Sequence, residues 1–142
     1  MRCFEDMSEL AAFAPDTSHV RNAIVFCDHA PASETTIASV YNWLCGGCVA
    51  DPPYACFVGK HGSQGDDDMD MVSVMKGIEG RPGPQIMTTW HDTETVSEVA
   101  ELPPIFSINT ERDVVWIMVG PTQTPFEIAC RKALDVAPLR WG

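Results

Sequence analysis

Long apolar runs are missing from this 142-residue chain, and none approaches the roughly 20 residues that a membrane-spanning helix needs. Basic residues are scarce: 9 Lys and Arg stand against 20 Asp and Glu, a net charge of −11. Such a surface repels phosphate backbones and anionic headgroups, which argues against nucleic-acid and membrane binding. No repeat period or low-complexity tract is present. The phosphate-cradling loop of nucleotide hydrolases, the glycine fingerprint of dinucleotide sites and the G-x-S-x-G elbow of serine hydrolases are all missing too. The first residues, Met1-Arg2-Cys3-Phe4-Glu5-Asp6, lack the basic flank and apolar block of a secretory signal, so the expected location is cytoplasmic.

A hydrophobic content of 45% marks a globular chain, and its length suits one domain. Six cysteines (Cys3, Cys27, Cys45, Cys48, Cys56, Cys130) fall short of disulfide-scaffold density. Cys27, Cys56 and Cys130 sit within apolar patterns, where a reduced thiol acts as a small hydrophobe.

Residues 1–21 read as an N-terminal extension or short helix, and 22–142 as the domain proper. Ala23-Ile24-Val25-Phe26-Cys27 is a short, uncharged, β-branched run and so a buried strand. Ser33 offers an N-cap to a helix with Ile37, Val40, Tyr41 and Leu44 on one face, and Gly46 and Gly47 suit a left-handed stop. Tyr54-Ala55-Cys56-Phe57-Val58 is a second strand. Gly59 to Asp68 reads as a polar loop. Its acidic end leads into a helix whose face carries Met71, Val74, Met75 and Ile78. Gln85 to Trp90 is a third strand, followed by a short helix capped by Asp92 or Thr93. Ile105–Ile108 and Val114–Val119 read as two strands joined by a turn too short for a parallel crossover, hence a closing hairpin. Thr124-Pro125-Phe126-Glu127 combines an N-cap, a proline at the first helical position and a capping-box glutamate. Phe126, Ala129, Cys130 and Ala133 form the buried face of that last helix, with Glu127 and Arg131 as an exposed pair.

This order of elements, with Leu102-Pro103-Pro104-Ile105-Phe106-Ser107-Ile108 leading into a polar turn, a strand, Gly120 and a final helix, resembles the thioredoxin-like superfamily. The resemblance implies an α/β fold with a central mixed sheet of about five strands flanked by helices, a closing β-hairpin and a C-terminal helix. It also implies that Pro104 is the family's cis-proline. The family's Cys-x-x-Cys belongs at the N-terminus of the second family helix, where this chain has Gly59-Lys60-His61-Gly62-Ser63-Gln64-Gly65-Asp66-Asp67-Asp68 and no cysteine. Four nearby aspartates disfavour a thiolate there.

Cys45-Gly46-Gly47-Cys48 does have the spacing of a redox pair, but it falls at the end of a helix, where the dipole raises a thiol pKa. Cys45, Cys48, Cys56 and His61 together have the residue types, though not the spacing, of a zinc site. Cys27-Asp28-His29 and His91-Asp92 are thin candidates for catalysis. The expected function is therefore a non-catalytic, acidic protein-binding or adaptor module needing no cofactor. Its surface would be the segment with His61, Asp66, Asp67 and Asp68, or the edge near Pro104. The alternatives are a thiol redox or zinc protein built on Cys45 and Cys48, and an acidic inhibitor of a basic partner.

Overall fold

The computed structural model describes residues 2–28, 30–48, 52–80, 85–102, 114–121 and 123–134. In chain order the elements are β1 (Arg2–Phe4), α1 (Met7–Ala12), β2 (Val20–Phe26), α2 (Glu34–Cys45) and β3 (Tyr54–Val58). They continue with α3 (Gly62–Ile78), β4 (Met87–His91), α4 (Val96–Ala100), β5 (Val114–Val119) and α5 (Pro125–Leu134). The five described strands form one sheet in the order β1-β5-β2-β3-β4, and every pairing is parallel.

An all-parallel sheet is covered on both faces, so its inner strands read as unbroken apolar runs. β3 and the Ala23–Phe26 part of β2 do so, and nearly every residue of both strands is buried, Arg21 and Asn22 included. One face carries Ala23, Val25, Phe57 and Ile117 and packs against Leu10 of α1, Ile37, Val40 and Leu44 of α2, and Met69 of α3. The other face carries Ile24, Cys56, Trp116 and Met118 and packs against Val99 of α4 and Phe126 and Cys130 of α5. The molecule is thus a three-layer α/β/α arrangement with helices on both faces.

Several expectations are corrected. Val114–Val119 is not the second arm of a hairpin at one edge of a mixed sheet. It is an inner strand, parallel to both β1 and β2. Ile105–Ile108, the hairpin turn and Pro104 lie outside the described residues. Residues 2–12 supply the short helix expected there, α1, and also β1, a strand not expected from the sequence, with Phe4 and Leu10 in the core. A strand of three residues is too short to show alternation, and its partner β5 is more than a hundred residues away in sequence.

α2 begins where expected, with Ser33 Oγ accepting the Thr36 N–H at 3.1 Å. Its stop works differently from the expected left-handed turn: Gly46 has φ −80°, an ordinary helical value. Glycine is needed there for room. A Cβ on Gly46 would lie 2.5 Å from Arg21 Nη1, and one on Gly47 would lie 2.7 Å from Arg21 Cγ. The Arg21 guanidinium donates to Trp43 O at 2.8 Å and Pro15 O at 3.2 Å, and lies over the Trp43 ring at 5.2 Å. It therefore caps the carbonyl end of α2 with a cation, where the helix dipole favours one.

The stretch expected as a loop up to Asp68 is already helical from Gly62, and α3 buries the face opposite to the expected one. Gly65 lies close enough to the Phe57 ring that a Cβ would come within 2.4 Å of it. That contact turns Gly62, Gly65, Asp66 and Met69 inward, and leaves Met71, Val74 and Met75 in solvent. α4 starts after the expected caps: Thr95 is its N-cap, in a reciprocal box with Glu98. In α5, Thr124 Oγ1 accepts the Glu127 N–H at 3.1 Å, and the Glu127 carboxylate accepts the Gln123 N–H. Glu127 is buried while its partner Arg131 is exposed, with Nε 2.9 Å from Oε1.

Candidate functional site

Ligand clefts in open parallel sheets lie beyond the carboxyl ends of the strands, because the loops there are free of core packing and diverge between the helix layers. In this chain those ends are tied together by backbone bonds. Cys27 N–H donates to Val58 O at 2.6 Å, Gly59 N–H to His91 O at 3.0 Å, and His61 N–H to Cys27 O at 3.0 Å. Gly59 has φ +109°, and a Cβ on it would sit 2.6 Å from Asp28 N. Only glycine lets the β3–α3 turn approach the end of β2 so closely.

On the α4–α5 side of this edge is a cleft of about 220 Å³. Its apolar lining includes Phe26, Val58, Val99 and Phe126, with the Phe26 and Phe126 rings 5.9 Å apart. Its polar lining is Asp28 from the end of β2, His91, Asp92 and Glu94 from the end of β4, and Thr124 at the start of α5. No described lysine or arginine lines it.

His91 is held from behind. Its Nε2 is 3.1 Å from Thr89 Oγ1, which shares a hydrogen bond with the Tyr54 hydroxyl. Its Nδ1 lies 3.4 Å from Glu94 Oε1, near enough for an ion pair when the ring is protonated but without hydrogen-bond geometry. The Glu94 carboxyl is held below its usual range, first by its own backbone N–H, with His91 adding to the effect. A polar chain thus runs from the buried Tyr54 to the exposed Glu94, and it fixes the imidazole at the rim of the cleft. Tyr54 itself is held strongly toward its neutral form by burial.

Cysteine acts as a nucleophile through its thiolate, and the thiols near this edge are disposed against that form. Burial pushes Cys27 up to about 11 and Cys56 up to about 12. Cys27 belongs to the core on the α1–α3 face, away from the cleft. Cys130, on the buried face of α5, is likewise pushed up to about 12 by burial.

The structure brings Asp28 together with His91 and Asp92, although Asp28 is remote from that pair in sequence. His29 lies outside the described residues. His61 stands at the N-cap of α3 without capping through its side chain. Asp66 is buried, with its carboxyl pushed up by burial, whereas Asp67 is exposed and Asp68 accepts from Gln64 Nε2 at 2.9 Å. These three aspartates lie along α3 and do not line the cleft.

Cys45 packs against the core on one face of the sheet, while Cys48 and Cys56 belong to the core on the other. Burial raises the Cys45 thiol. Cys48 N–H bonds to His19 O before β2, and His61 N–H bonds to Cys27 O beyond it. The seven residues of β2 separate those two points, roughly 20 Å at about 3.3 Å per residue. The four residues with zinc-ligand chemistry are therefore not brought together. Among the described residues no group of three or more His, Cys, Asp or Glu is placed to hold a metal ion.

Asp92, Glu94, Gly59 and the α5 cap escaped notice as parts of a single site. One signal for them lies in the sequence: two strand runs, Val25-Phe26-Cys27 and Met87-Thr88-Thr89-Trp90, are each followed within two positions by an acidic residue, Asp28 and Asp92. In a parallel sheet, such ends face the same crevice. Neither a curated protein nor a solved structure matches the chain. A family model matches residues 4–128, from β1 into α5 and across every element that builds the cleft, so the chain belongs to the family described as a domain of unknown function, DUF7684.

Proposed function

We propose that the protein is a non-catalytic binding module with an acidic surface, and that its carboxyl-edge cleft receives a cationic side chain of a basic protein partner. The observation that carries this reading is the lining of the cleft: Asp28, Asp92 and Glu94 surround an apolar floor with no described lysine or arginine among them. Arginine and lysine suit such a site because their methylene stems lie on apolar surface while the head group reaches carboxylates. Size supports the same reading. About 220 Å³ is below the roughly 300–1,000 Å³ of drug-sized ligand sites, and matches a single side chain better than a cofactor.

The thioredoxin-like reading of the fold supplies no contact for this cleft, and the parallel pairing of β5 with β2 favours a doubly wound frame instead. An acidic inhibitor of a basic protein would use the same chemistry, with the net charge of −11 speeding the encounter. A thiol redox or zinc role for Cys45 and Cys48 is weakened by their placement in different cores.

The test is a titration of the labelled protein with Nα-acetyl-arginine methylamide, with the neutral citrulline analogue as control, followed by amide NMR. Partly exposed ion pairs contribute about 1 kcal/mol each, so affinity on the order of millimolar is expected, weakening as salt is added. Shifts should centre on Gly59, Glu94 and Thr124, and vanish in Asp28→Asn/Asp92→Asn. Equal binding of citrulline, or no shifts at these positions, defeats the reading.

A further inference from the structure

Apolar residues on a helix normally face the core, and single exceptions need no explanation. α3 carries three on its outward face: Met71 is 61% exposed, Val74 58% and Met75 48%. They are not scattered, because three- and four-residue spacings place them side by side on adjacent turns. Met71 also lines a groove of about 350 Å³ between α2 and α3, whose other apolar walls are Ile37, Ala38 and Val72. The stripe and the groove form one continuous apolar surface.

Charge decides what covers it. Glu34 and Asp68 line the groove, and Asp67 and Asp70 flank the stripe on the same helix. Lys76, the one basic residue of α3, is 3.8 Å from Glu79. A second copy of this chain would bring the same acidic rim against itself, and an anionic membrane would be repelled. A partner with a basic rim around an apolar ridge is matched on both counts. Methionine, flexible and polarizable, suits a surface that must adapt to such a ridge.

We propose that the α2–α3 groove and the Met71–Val74–Met75 stripe dock a basic amphipathic helix of a partner protein. The helix lays apolar anchors at three- and four-residue spacing into the groove, and its lysines or arginines meet Glu34, Asp67 and Asp68. This site is on the opposite face of the sheet from the cleft and does not depend on it.

The experiment uses the full chain with methyl-labelled methionine and two synthetic peptides of about 14 residues, both made of Leu and Lys. In one the leucines follow helical spacing, and in the other the same residues are scrambled. Met71 and Met75 should shift with the amphipathic peptide while the buried Met69 and Met118 do not. The scrambled peptide should bind about tenfold more weakly, and Met71→Gln/Val74→Gln/Met75→Gln should lose about tenfold in affinity for the amphipathic one. Asp28→Asn/Asp92→Asn should bind it unchanged, which separates this proposal from the cleft. Equal binding of both peptides would mean charge attraction alone and would overturn the proposal. So would a dimer of the unmodified chain that is lost in the triple variant, or binding to vesicles of anionic phospholipid.

Discussion

The two ends of the sheet use charge in opposite ways. At the amino end a single buried cation, Arg21, donates to the Trp43 and Pro15 carbonyls and is covered by Gly46 and Gly47, with its Nε left without a partner. That charge closes the structure and leaves no room for a ligand. At the carboxyl end, Asp28, Asp92 and Glu94 line a cleft, and backbone bonds through Cys27, Gly59 and His61 hold the loops in place. At the amino end the charge caps backbone carbonyls inside the fold, and at the carboxyl end it stays accessible over a rigid frame.

The largest effect that would sharpen this contrast is expected at the amino end. Arg21→Ala leaves the last carbonyls of α2 without their cation and opens a void beneath Gly46 and Gly47. A loss of about 3 kcal/mol in urea denaturation is expected, with arginine binding at the cleft unchanged. An unaltered midpoint would mean that Arg21 is a bystander. At the carboxyl end, Gly59→Ala forces a side chain into a φ of +109° and against Asp28 N. It should cost about 2 kcal/mol and, unlike Arg21→Ala, should also displace Asp28 and weaken arginine binding. A Gly59→Ala protein that binds normally would separate the turn from the cleft.

The smallest effect concerns a buried charge that is not matched. Asp66 is 6% exposed, and its Oδ1 has no hydrogen-bond partner. Burial raises its folded-state pKa above the ordinary value of about 3.9. The folded state therefore binds the proton more tightly than the unfolded state does. Asp66 contributes its stability fully below the unfolded pKa, and that contribution is lost as pH rises through the folded pKa. Asp66→Asn should raise stability by about 1 kcal/mol at neutral pH and by less near pH 3, as read from melting curves across that window. A gain that is the same at both pH values would assign it to helix propensity instead of charge.

What could be read locally was read well. The strand Tyr54–Val58, the Ser33 cap and the Thr124-Pro125 start of α5 depend on neighbours within a few residues and stand as expected, and the strand expected over Ala23–Cys27 runs over Val20–Phe26. α3 shows where local reading fails. Its apolar period is genuine, but its packing is decided by how close Gly65 can come to Phe57, a residue on another element. The placement of Cys45 and Cys48 is decided in the same way, since consecutive turns of chain deliver the two side chains to different cores.

The sequence by itself determined the class of the protein. Its short β-branched runs and its helix caps specify an α/β domain, because hydrophobic period and capping are properties of adjacent residues. Only the tertiary structure decided the strand order, the outward turn of Met71 and the meeting of Asp28 with His91 and Asp92. These depend on long-range pairing and close packing, in which the free energy of each contact is set by residues far away along the chain.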